Sequence, residues 1–316
     1  MIAFGPVPSR RLGKSLGINN IPPKICTYSC VYCQLGSTIK MQIDRQFFYA
    51  AEELLESVQR KAASAREKGE TIDYLTFVPD GEPTLDVNLG REIALLRPLG
   101  IKIAVISNAS LIWREDVREE LGQADWVSLK VDAASEETWR RVNRPHGKLN
   151  LASIQEGMLE FARHYDGALM TETMLVDGIN DGEEDVRKVA DFLARLQPDR
   201  AYLAIPTRPP AEPWAGPPEE PIINRAYQVL SERVDHVEYL IGYEGNAFAF
   251  TGDVEQDLLS ITAVHPMREE AVDEFLARAK VGWAVVRRLV AQDRLVETEY
   301  GGRRFYLRRL RGCAED

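Results

Sequence analysis

A unit of strand, turn and helix recurs from about residue 16 to residue 206, and this repeat constrains the fold more than any other feature. Strands that alternate with helices form a parallel sheet joined by helical crossovers. The periodicity leaves two architectures open, a doubly wound sheet and a full or partial barrel. In both, ligands bind at the carboxyl ends of the strands. The six predicted strands are SLGINNI, DYLTFV (73–78), IKIAVI (101–106), WVSLKV (126–131), ALMTETMLV (168–176) and AYLAIP (201–206).

The chain changes character after the sixth predicted strand. PTRPPAEPWAGPPEEP (206–221) cannot sustain a regular helix and predicts an ordered loop or linker. Three short helical runs then precede RLVETEYGGRRFYLRR, which predicts a hairpin turning at Gly301 and Gly302. Three helices and a basic hairpin are typical of a winged-helix module. We therefore expect a catalytic domain over residues 1–245 and a winged-helix-like domain over residues 246–316.

Charge is distributed unevenly along the chain. The net charge is −10, but the segment from Arg278 to Arg311 carries +7, which leaves −17 for the rest. The acidic part argues against a broad polyanion-binding surface there, whereas the basic tail suits a nucleic-acid partner. The first residues show no leader-like apolar segment, and no run approaches the roughly 18 apolar residues of a membrane span. We expect a cytoplasmic protein with no membrane partner.

Three of the four cysteines, Cys26, Cys30 and Cys33, lie within eight positions, and Cys313 stands alone near the far end. This distribution makes a poor disulfide framework and favours reduced thiols or metal ligands. Spacings of four and three residues in a loop let three thiolates converge on one centre. Two alternatives stay open, a zinc site completed by a histidine and buried structural thiols. An iron–sulfur cluster with one iron open to another ligand fits the incomplete set best.

The motif Cys26-x-x-x-Cys30-x-x-Cys33, with Tyr32 before its last cysteine, resembles that of the radical S-adenosylmethionine (SAM) superfamily. The resemblance implies a [4Fe–4S] cluster on the three cysteines, with SAM on the fourth iron. It also implies an electron donor such as flavodoxin or ferredoxin, and a 5′-deoxyadenosyl radical that abstracts hydrogen from a substrate. The fold that it implies is a partial (β/α)6 TIM-type barrel, followed here by the winged-helix-like domain.

The resemblance extends to later strand ends. In FVPDGEPTL, Gly81 and Glu82 resemble a Gly-Gly-Glu segment that holds the SAM ammonium group, with Asp80 replacing the first glycine. The strand containing TETMLV, and the strand containing Ile205, are expected to supply an apolar floor and backbone contacts. Ordinary turn and solvated residues are the alternative interpretation. The expected SAM-binding residues are Tyr32, Gly81, Glu82, Ser107, Asn108, Lys130, Asp132 and Ile205.

The segments GPVPSRRLGKSLGIN, CTYSCVYCQLG, DGEPTLD and NRPHG are similar to iron–sulfur oxidoreductases related to the tRNA wyosine-base synthesising enzymes. Those enzymes carry a second cluster, for which only Cys313 remains, so we do not expect wyosine synthesis. In NRPHG, Asn143, Arg144 and His146 are candidates for holding an anionic substrate group, as is Arg208 after the sixth strand. A capped turn and a surface ion pair explain these residues equally well.

Three functions stay open. The first is a radical SAM enzyme acting on a base of tRNA or another nucleic acid, and the second is radical modification of a peptide or small metabolite. In the second, the tail is a protein-interaction module. The third is an iron–sulfur DNA-binding redox sensor. No catalytic residue beyond the cofactor site is assigned. In the first function, the tail residues that could pair with phosphates are Arg303, Arg304, Arg308 and Arg309, and those that could stack on bases are Tyr300, Phe305 and Tyr306. The favoured alternative is a hairpin whose aromatic face packs inward and whose arginines are solvated.

Overall fold

The computed structural model describes residues 2–241, 248, 250, 252–264 and 266–309. Cys313, Arg311 and the expected boundary between residues 245 and 246 lie outside them. The strands are β1 (Ala3–Ser9), β2 (Gly13–Ile18), β3 (Ile25–Cys26), β4 (Lys40–Met41), β5 (Tyr74–Phe77), β6 (Lys102–Ser107), β7 (Trp126–Lys130), β8 (Ala168–Met174), β9 (Arg200–Ala204), β10 (Val237–Leu240), β11 (Met267–Arg268), β12 (Leu295–Tyr300) and β13 (Arg303–Arg308). The helices are α1 (Ala51–Glu67), α2 (Leu89–Leu96), α3 (Glu115–Leu121), α4 (Glu136–Asn143), α5 (Leu151–His164), α6 (Glu183–Leu196), α7 (Glu220–Ser231), α8 (Val254–Val264), α9 (Glu269–Ala279) and α10 (Ala284–Ala291). None of these helices is long and apolar enough to cross a membrane.

One mostly parallel sheet forms the centre of the fold. Its strand order is β1-β2-β5-β6-β7-β8-β9-β10, with β1 antiparallel to β2 and all other neighbours parallel. The six predicted strands correspond to β2 and β5 to β9, and helices occupy the connections between them. The prediction of an α/β chain with a parallel sheet is confirmed.

Both ends of the sheet differ from the prediction. Strand β1 adds an antiparallel edge, and β10 adds a seventh parallel strand within the described residues. The proline-rich segment yields this extra unit because α7 begins inside it at Glu220. Pro221 lies in the first turn of α7, where the N–H that proline lacks has no helical partner to lose.

Strand β2 ends at Ile18, earlier than predicted. The two residues that follow use their side chains to hold the loop after β5. Oδ1 of Asn19 accepts a hydrogen bond from the N–H of Asp80 at 3.1 Å, and Nδ2 of Asn20 donates to the carbonyl of Pro83 at 3.1 Å. Their side chains therefore hold the loop after β5, while the N–H of Asn19 still donates to the carbonyl of Ile2 at 2.7 Å.

Alternation along the strands divides their side chains between two faces. In β6, Ile103 and Val105 join the main core with the helices. On the opposite face of the sheet, the side chains become polar towards the carboxyl ends of the strands, where Lys130 ends β7 and Glu172 lies in β8. The carboxyl ends of the strands are thus the polar end of this face. Nearer the amino ends, a separate apolar cluster contains Leu12, Ala104, Trp126, Met170 and Tyr202.

Residues beyond β10 pack around a core of their own, which includes Phe248, Leu258 and Phe275. Strand β11 pairs with β13, which gives a small sheet in the order β11-β13-β12. The predicted hairpin turn is confirmed, because Gly301 and Gly302 connect β12 to β13 with positive φ angles. An ion pair of 2.8 Å between Lys61 and Asp257 joins this C-terminal unit to α1.

The aromatic side chains of the hairpin pack inward. Phe305 and Tyr306 are almost fully buried, and the ring of Trp283 lies 5.5 Å from that of Tyr306. The hydroxyl of Tyr300 donates to the carbonyl of Pro206 at 3.3 Å. Of the two interpretations, inward packing is therefore the correct one for Phe305 and Tyr306, because neighbouring residues already cover both rings.

Glu92 on α2 is fully buried, and none of the described residues gives its carboxyl oxygens a hydrogen bond of good geometry. Burial, reinforced by the carboxylate of Asp86, raises the pKa of Glu92 to about 9. The folded chain holds this group protonated, whereas the unfolded chain ionises it near pH 4.3. Stability is therefore lost as the pH rises from about 4 to about 9.

Glu92→Gln is expected to remove this loss, because the neutral amide has no ionised form whose burial must be compensated. We expect the free energy of unfolding to exceed that of the wild type by about 3 kcal/mol at pH 7 and to match it near pH 4. Urea denaturation at both pH values checks this, with the exposed Glu156→Gln as control. Equal stability of Glu92→Gln and wild type at pH 7 would contradict the expectation.

Candidate active site

A cavity of about 310 Å³ opens where the carboxyl ends of the parallel strands meet. Residues at or just after the ends of six strands line it: Val78, Ser107, Lys130, Met174, Ala204 and Leu240. Seven of the eight expected SAM-binding residues also line it: Tyr32, Gly81, Glu82, Ser107, Asn108, Lys130 and Ile205. The eighth, Asp132, lies outside the lining. The structure therefore gathers residues that are far apart in the sequence into one site.

The cysteine loop forms one side of the cavity. Cys26 ends β3, Cys30 and Cys33 follow, and all three side chains are half-buried and line the cavity. The N–H of Val31 donates to the carbonyl of Val142 at 3.0 Å, which ties the loop to α4. In the described part of the chain, no three His, Cys, Asp or Glu side chains could hold one metal ion. A four-iron cluster spreads its thiolates more widely than a single ion, so this finding concerns single-ion sites such as the zinc alternative.

Gly81 packs directly against the cysteine loop. A Cβ atom at this position would lie 1.9 Å from the carbonyl oxygen of Ile25, so a side chain fits only if the loop moves. The N–H of Glu82 donates to the same oxygen at 3.3 Å, and the N–H of Lys24 donates to the carbonyl of Asp80 at 2.6 Å. Asp80 does not take a positive φ, so an aspartate is accommodated here without backbone strain.

Glu82 is a buried carboxylate that accepts four hydrogen bonds, one of them from the backbone N–H of Thr84 at 3.1 Å. Oε1 accepts from the hydroxyl groups of Thr84 at 2.6 Å and Ser107 at 2.7 Å, and Oε2 accepts from the N–H of Asn108 at 2.7 Å. Burial raises the pKa of Glu82, and these hydrogen bonds oppose the rise. The donors fix the direction of the carboxylate at the edge of the cavity.

Asp132 lies outside the cavity lining, and neighbouring residues already engage both of its carboxyl oxygens. Oδ1 accepts from the N–H of Met174 at 2.8 Å and pairs with Nζ of Lys130 at 3.3 Å. Oδ2 accepts from the hydroxyl of Tyr32 and from Nδ2 of Asn143, the latter at 2.7 Å. Nζ of Lys130 lies 5.0 Å from the centre of the Tyr32 ring. Asp132 thus positions both Lys130 and Tyr32.

Glu172 and Arg11 also line the cavity, and neither is among the residues predicted from the sequence to lie there. Oε1 of Glu172 accepts from Nζ of Lys130 at 2.8 Å, and its other carboxyl oxygen pairs with Arg11. The expectation of an apolar floor from TETMLV is therefore wrong at this position. The available signal was the strand period, because Glu172 shares a face with Met170 and Met174.

The residues predicted to hold an anionic substrate group fall into two groups, one at the cavity and one outside it. Arg208 lines the cavity, and its Nη1 donates to Oε1 of Gln34 at 2.7 Å. Arg144 and His146 lie outside the lining. Arg144 pairs with Glu212, and the backbone N–H of His146 donates to the carbonyl of Thr27 at 2.9 Å. Within NRPHG, it is the side chain of Asn143 that reaches a cysteine sulfur, that of Cys30.

Residues 20–193 match the family model of the radical SAM superfamily. The chain belongs to this superfamily. A UPF0026 protein of Methanocaldococcus jannaschii is 47% identical, over 98% of this chain and 97% of its own length. Superfamily members are enzymes that bind a [4Fe–4S] cluster and SAM, so this protein is an enzyme and SAM is its partner.

Two solved radical SAM structures are similar in fold. A radical SAM methyltransferase from Sphaerobacter thermophilus has a TM-score of 0.53 at 18% identity, over 72% of this chain and 66% of its own. TYW1 with a lysine-pyruvate adduct bound has a TM-score of 0.53 at 18% identity, over 70% of this chain and 74% of its own. Both likenesses concern the fold.

The donor set of the cavity fits the cofactors of a radical SAM enzyme. Burial raises the pKa of Cys30 to about 12 and also raises the pKa values of Cys26 and Cys33. These thiols are therefore expected to lose their protons when a bound cation compensates the negative charge of the thiolates. Thiolates are the ligands that iron–sulfur clusters use.

Glu172→Gln is expected to destabilise this radical SAM enzyme. Burial opposes ionisation of Glu172, but the charges of Lys130 and Arg11 outweigh it and lower the pKa to about 2. The stabilisation is thus present above the unfolded pKa near 4.3 and is lost as the pH falls towards 2. We expect the variant to lose about 3 kcal/mol of unfolding free energy at pH 7, and progressively less below pH 4.

Urea denaturation measures this loss, and Glu183→Gln, which breaks an exposed pair with Arg187, is the control. A loss at pH 7 no larger than that of the control would contradict the assigned role of Glu172.

Proposed function

We propose that Cys26, Cys30 and Cys33 hold the [4Fe–4S] cluster and that SAM binds beside it in the same cavity. The observation that supports this most strongly is that the three cysteines, the Gly81–Glu82 segment and Lys130 line one cavity at the strand ends. When bound, the reduced cluster and SAM supply a 5′-deoxyadenosyl radical that abstracts hydrogen from the substrate.

Different residues of the chain bind different parts of SAM. Glu82, held by Ser107 and the backbone of Asn108, presents a carboxylate to the ammonium group. Lys130 presents a cation to the carboxylate or ribose, with Asp132 positioning it from behind. Tyr32 and Ile205 offer apolar surface to the adenine. Because these side chains are already fixed, SAM loses less free energy to ordering the site on binding.

A nucleic-acid base is the substrate class that we propose, delivered by a winged-helix domain over residues 246–316 beside a partial barrel over residues 1–245. The order α8, β11, α9, α10, β12, β13 supports the winged helix, and exposed Arg303 supports phosphate contact. The burial of Phe305 and Tyr306 favours the alternative, a protein-interaction module with a peptide or small-metabolite substrate. We also propose that the protein is cytoplasmic and that flavodoxin or ferredoxin donates the electron.

Electron paramagnetic resonance (EPR) tests the cofactor site. After anaerobic reconstitution with iron and sulfide, the spectrum of the reduced cluster should change when SAM is added. No spectral change, together with tightly bound zinc, would contradict the site.

Nucleic-acid binding is a separate test of the substrate class. Arg303→Ala should weaken the binding of tRNA and reduce its salt dependence, whereas Arg187→Ala on α6 should not. Equal binding by wild type and Arg303→Ala would favour the alternative substrates.

A further inference from the structure

Two asparagine side chains reach the sulfur atoms of the cysteine loop. Nδ2 of Asn108 lies 3.5 Å from Sγ of Cys26, and Nδ2 of Asn143 lies 3.4 Å from Sγ of Cys30. An amide nitrogen is only a donor, and a cysteine sulfur accepts. Two different sulfurs of the motif therefore each receive a side-chain N–H.

The side-chain amide of Asn108 makes three hydrogen bonds, and its backbone N–H makes a fourth. One N–H of its Nδ2 serves Oγ1 of Thr27 at 2.8 Å, which leaves the second for Cys26. Its Oδ1 accepts from the N–H of Ser110 at 2.9 Å, and its backbone N–H donates to Glu82. Rotation of the side chain away from Cys26 would break several of these bonds.

Asn143 is held in a comparable way at the end of α4. The residue is 2% exposed, and Nδ2 donates to Oδ2 of Asp132 at 2.7 Å. That bond uses one N–H, and the other faces Cys30, with the hydroxyl of Tyr32 at 3.5 Å from the same nitrogen. The helix that ties down the cysteine loop thus also supplies a donor to its sulfur.

We propose that Asn108 and Asn143 raise the reduction potential of the cluster by donating hydrogen bonds to Cys26 and Cys30, an inference that rests on the proposed function. Reduction takes one electron from an external low-potential donor and places added negative charge partly on the sulfurs. An N–H dipole aimed at a sulfur stabilises that charge, and hydrogen bonds to ligand sulfurs are a known control of cluster potential. The negative charges of the buried carboxylates of Glu82 and Asp132 oppose reduction of the cluster, and the two amide donors offset this effect.

The test is the midpoint potential of the reconstituted cluster, followed by EPR without SAM. In Asn143→Leu and in Asn108→Leu, the ratio of reduced to oxidised cluster at a fixed potential should fall about tenfold, which is about 59 mV for one electron. Asn180→Leu is the control, because Asn180 is as buried as Asn143 and donates to the carbonyls of Asp132 and Met174 rather than to a sulfur. Alanine variants at the same positions replace any leucine variant that does not fold.

The outcomes separate this inference from the proposed function. Unchanged midpoint potentials in both variants, with wild-type iron content, would overturn the inference and leave the cluster site standing. An equal fall in Asn180→Leu would also overturn it, because the effect would then come from loosened packing. A wild-type protein that takes up no cluster would overturn the proposed function itself.

Discussion

Cys30→Ala is expected to lose the iron–sulfur cluster and all cleavage of SAM while keeping the fold. Cys30 is half-buried in a loop at the edge of the main core, so removing its sulfur leaves the packed centre of the sheet untouched. The cluster, in contrast, would lose one of its three protein anchors. Iron and sulfide after reconstitution should fall to background, while the circular dichroism spectrum and the melting temperature stay close to those of the wild type.

Cys313→Ala is the matched control, because this cysteine stands apart from the motif in the sequence. It should keep wild-type iron content. If Cys30→Ala also retained that content, the cysteine loop would not be the cluster site.

The second large effect is expected at Gly81. In Gly81→Ala the new methyl group would overlap the carbonyl oxygen of Ile25, a backbone atom beside Cys26. The loop or the Gly81–Glu82 segment must shift, which typically costs about 1 to 3 kcal/mol. Because Glu82 moves with the segment, we expect the affinity for SAM to fall about tenfold or more, which corresponds to about 1.4 kcal/mol. Isothermal titration of the reconstituted protein with SAM measures it.

Gly216→Ala controls for the general effect of adding a methyl group to a glycine. In the part of the chain that the structure describes, no atom outside its immediate neighbours lies within 4 Å of a Cβ at Gly216, and the residue has no positive φ. Its affinity for SAM should match that of the wild type. Wild-type affinity in Gly81→Ala as well would mean that the contact with Ile25 does not position the site.

The sequence was sufficient for those parts of the site that depend on local patterns. Ser107 and Lys130 lie at the ends of predicted strands, and parallel strands bring such ends to one edge of a sheet. Cys26, Cys30 and Cys33 are grouped by a short loop. For these residues, the strand period and the direction of the sheet place the side chain without knowledge of distant contacts.

The rest depended on contacts between distant segments. Arg11 reaches Glu172 from the turn between β1 and β2, and the antiparallel edge strand β1 was not predicted. Asn143 reaches Cys30 only because α4 docks on the cysteine loop. Phe305 and Tyr306 are neighbours in β13, where alternation would expose one of them, but surrounding elements bury both. The positions of these side chains are set by packing between distant elements, which the local periodicity of the sequence does not reveal.

Formation of 5′-deoxyadenosine is the most direct measurement of the central claim. The reconstituted wild type is incubated anaerobically with reductant and SAM, beside Cys30→Ala, and the product is detected by mass spectrometry. We predict 5′-deoxyadenosine from the wild type and none above background from Cys30→Ala. Absence of the product from a wild type that carries its full iron–sulfur cluster, or equal amounts from both proteins, would contradict radical SAM chemistry at this site.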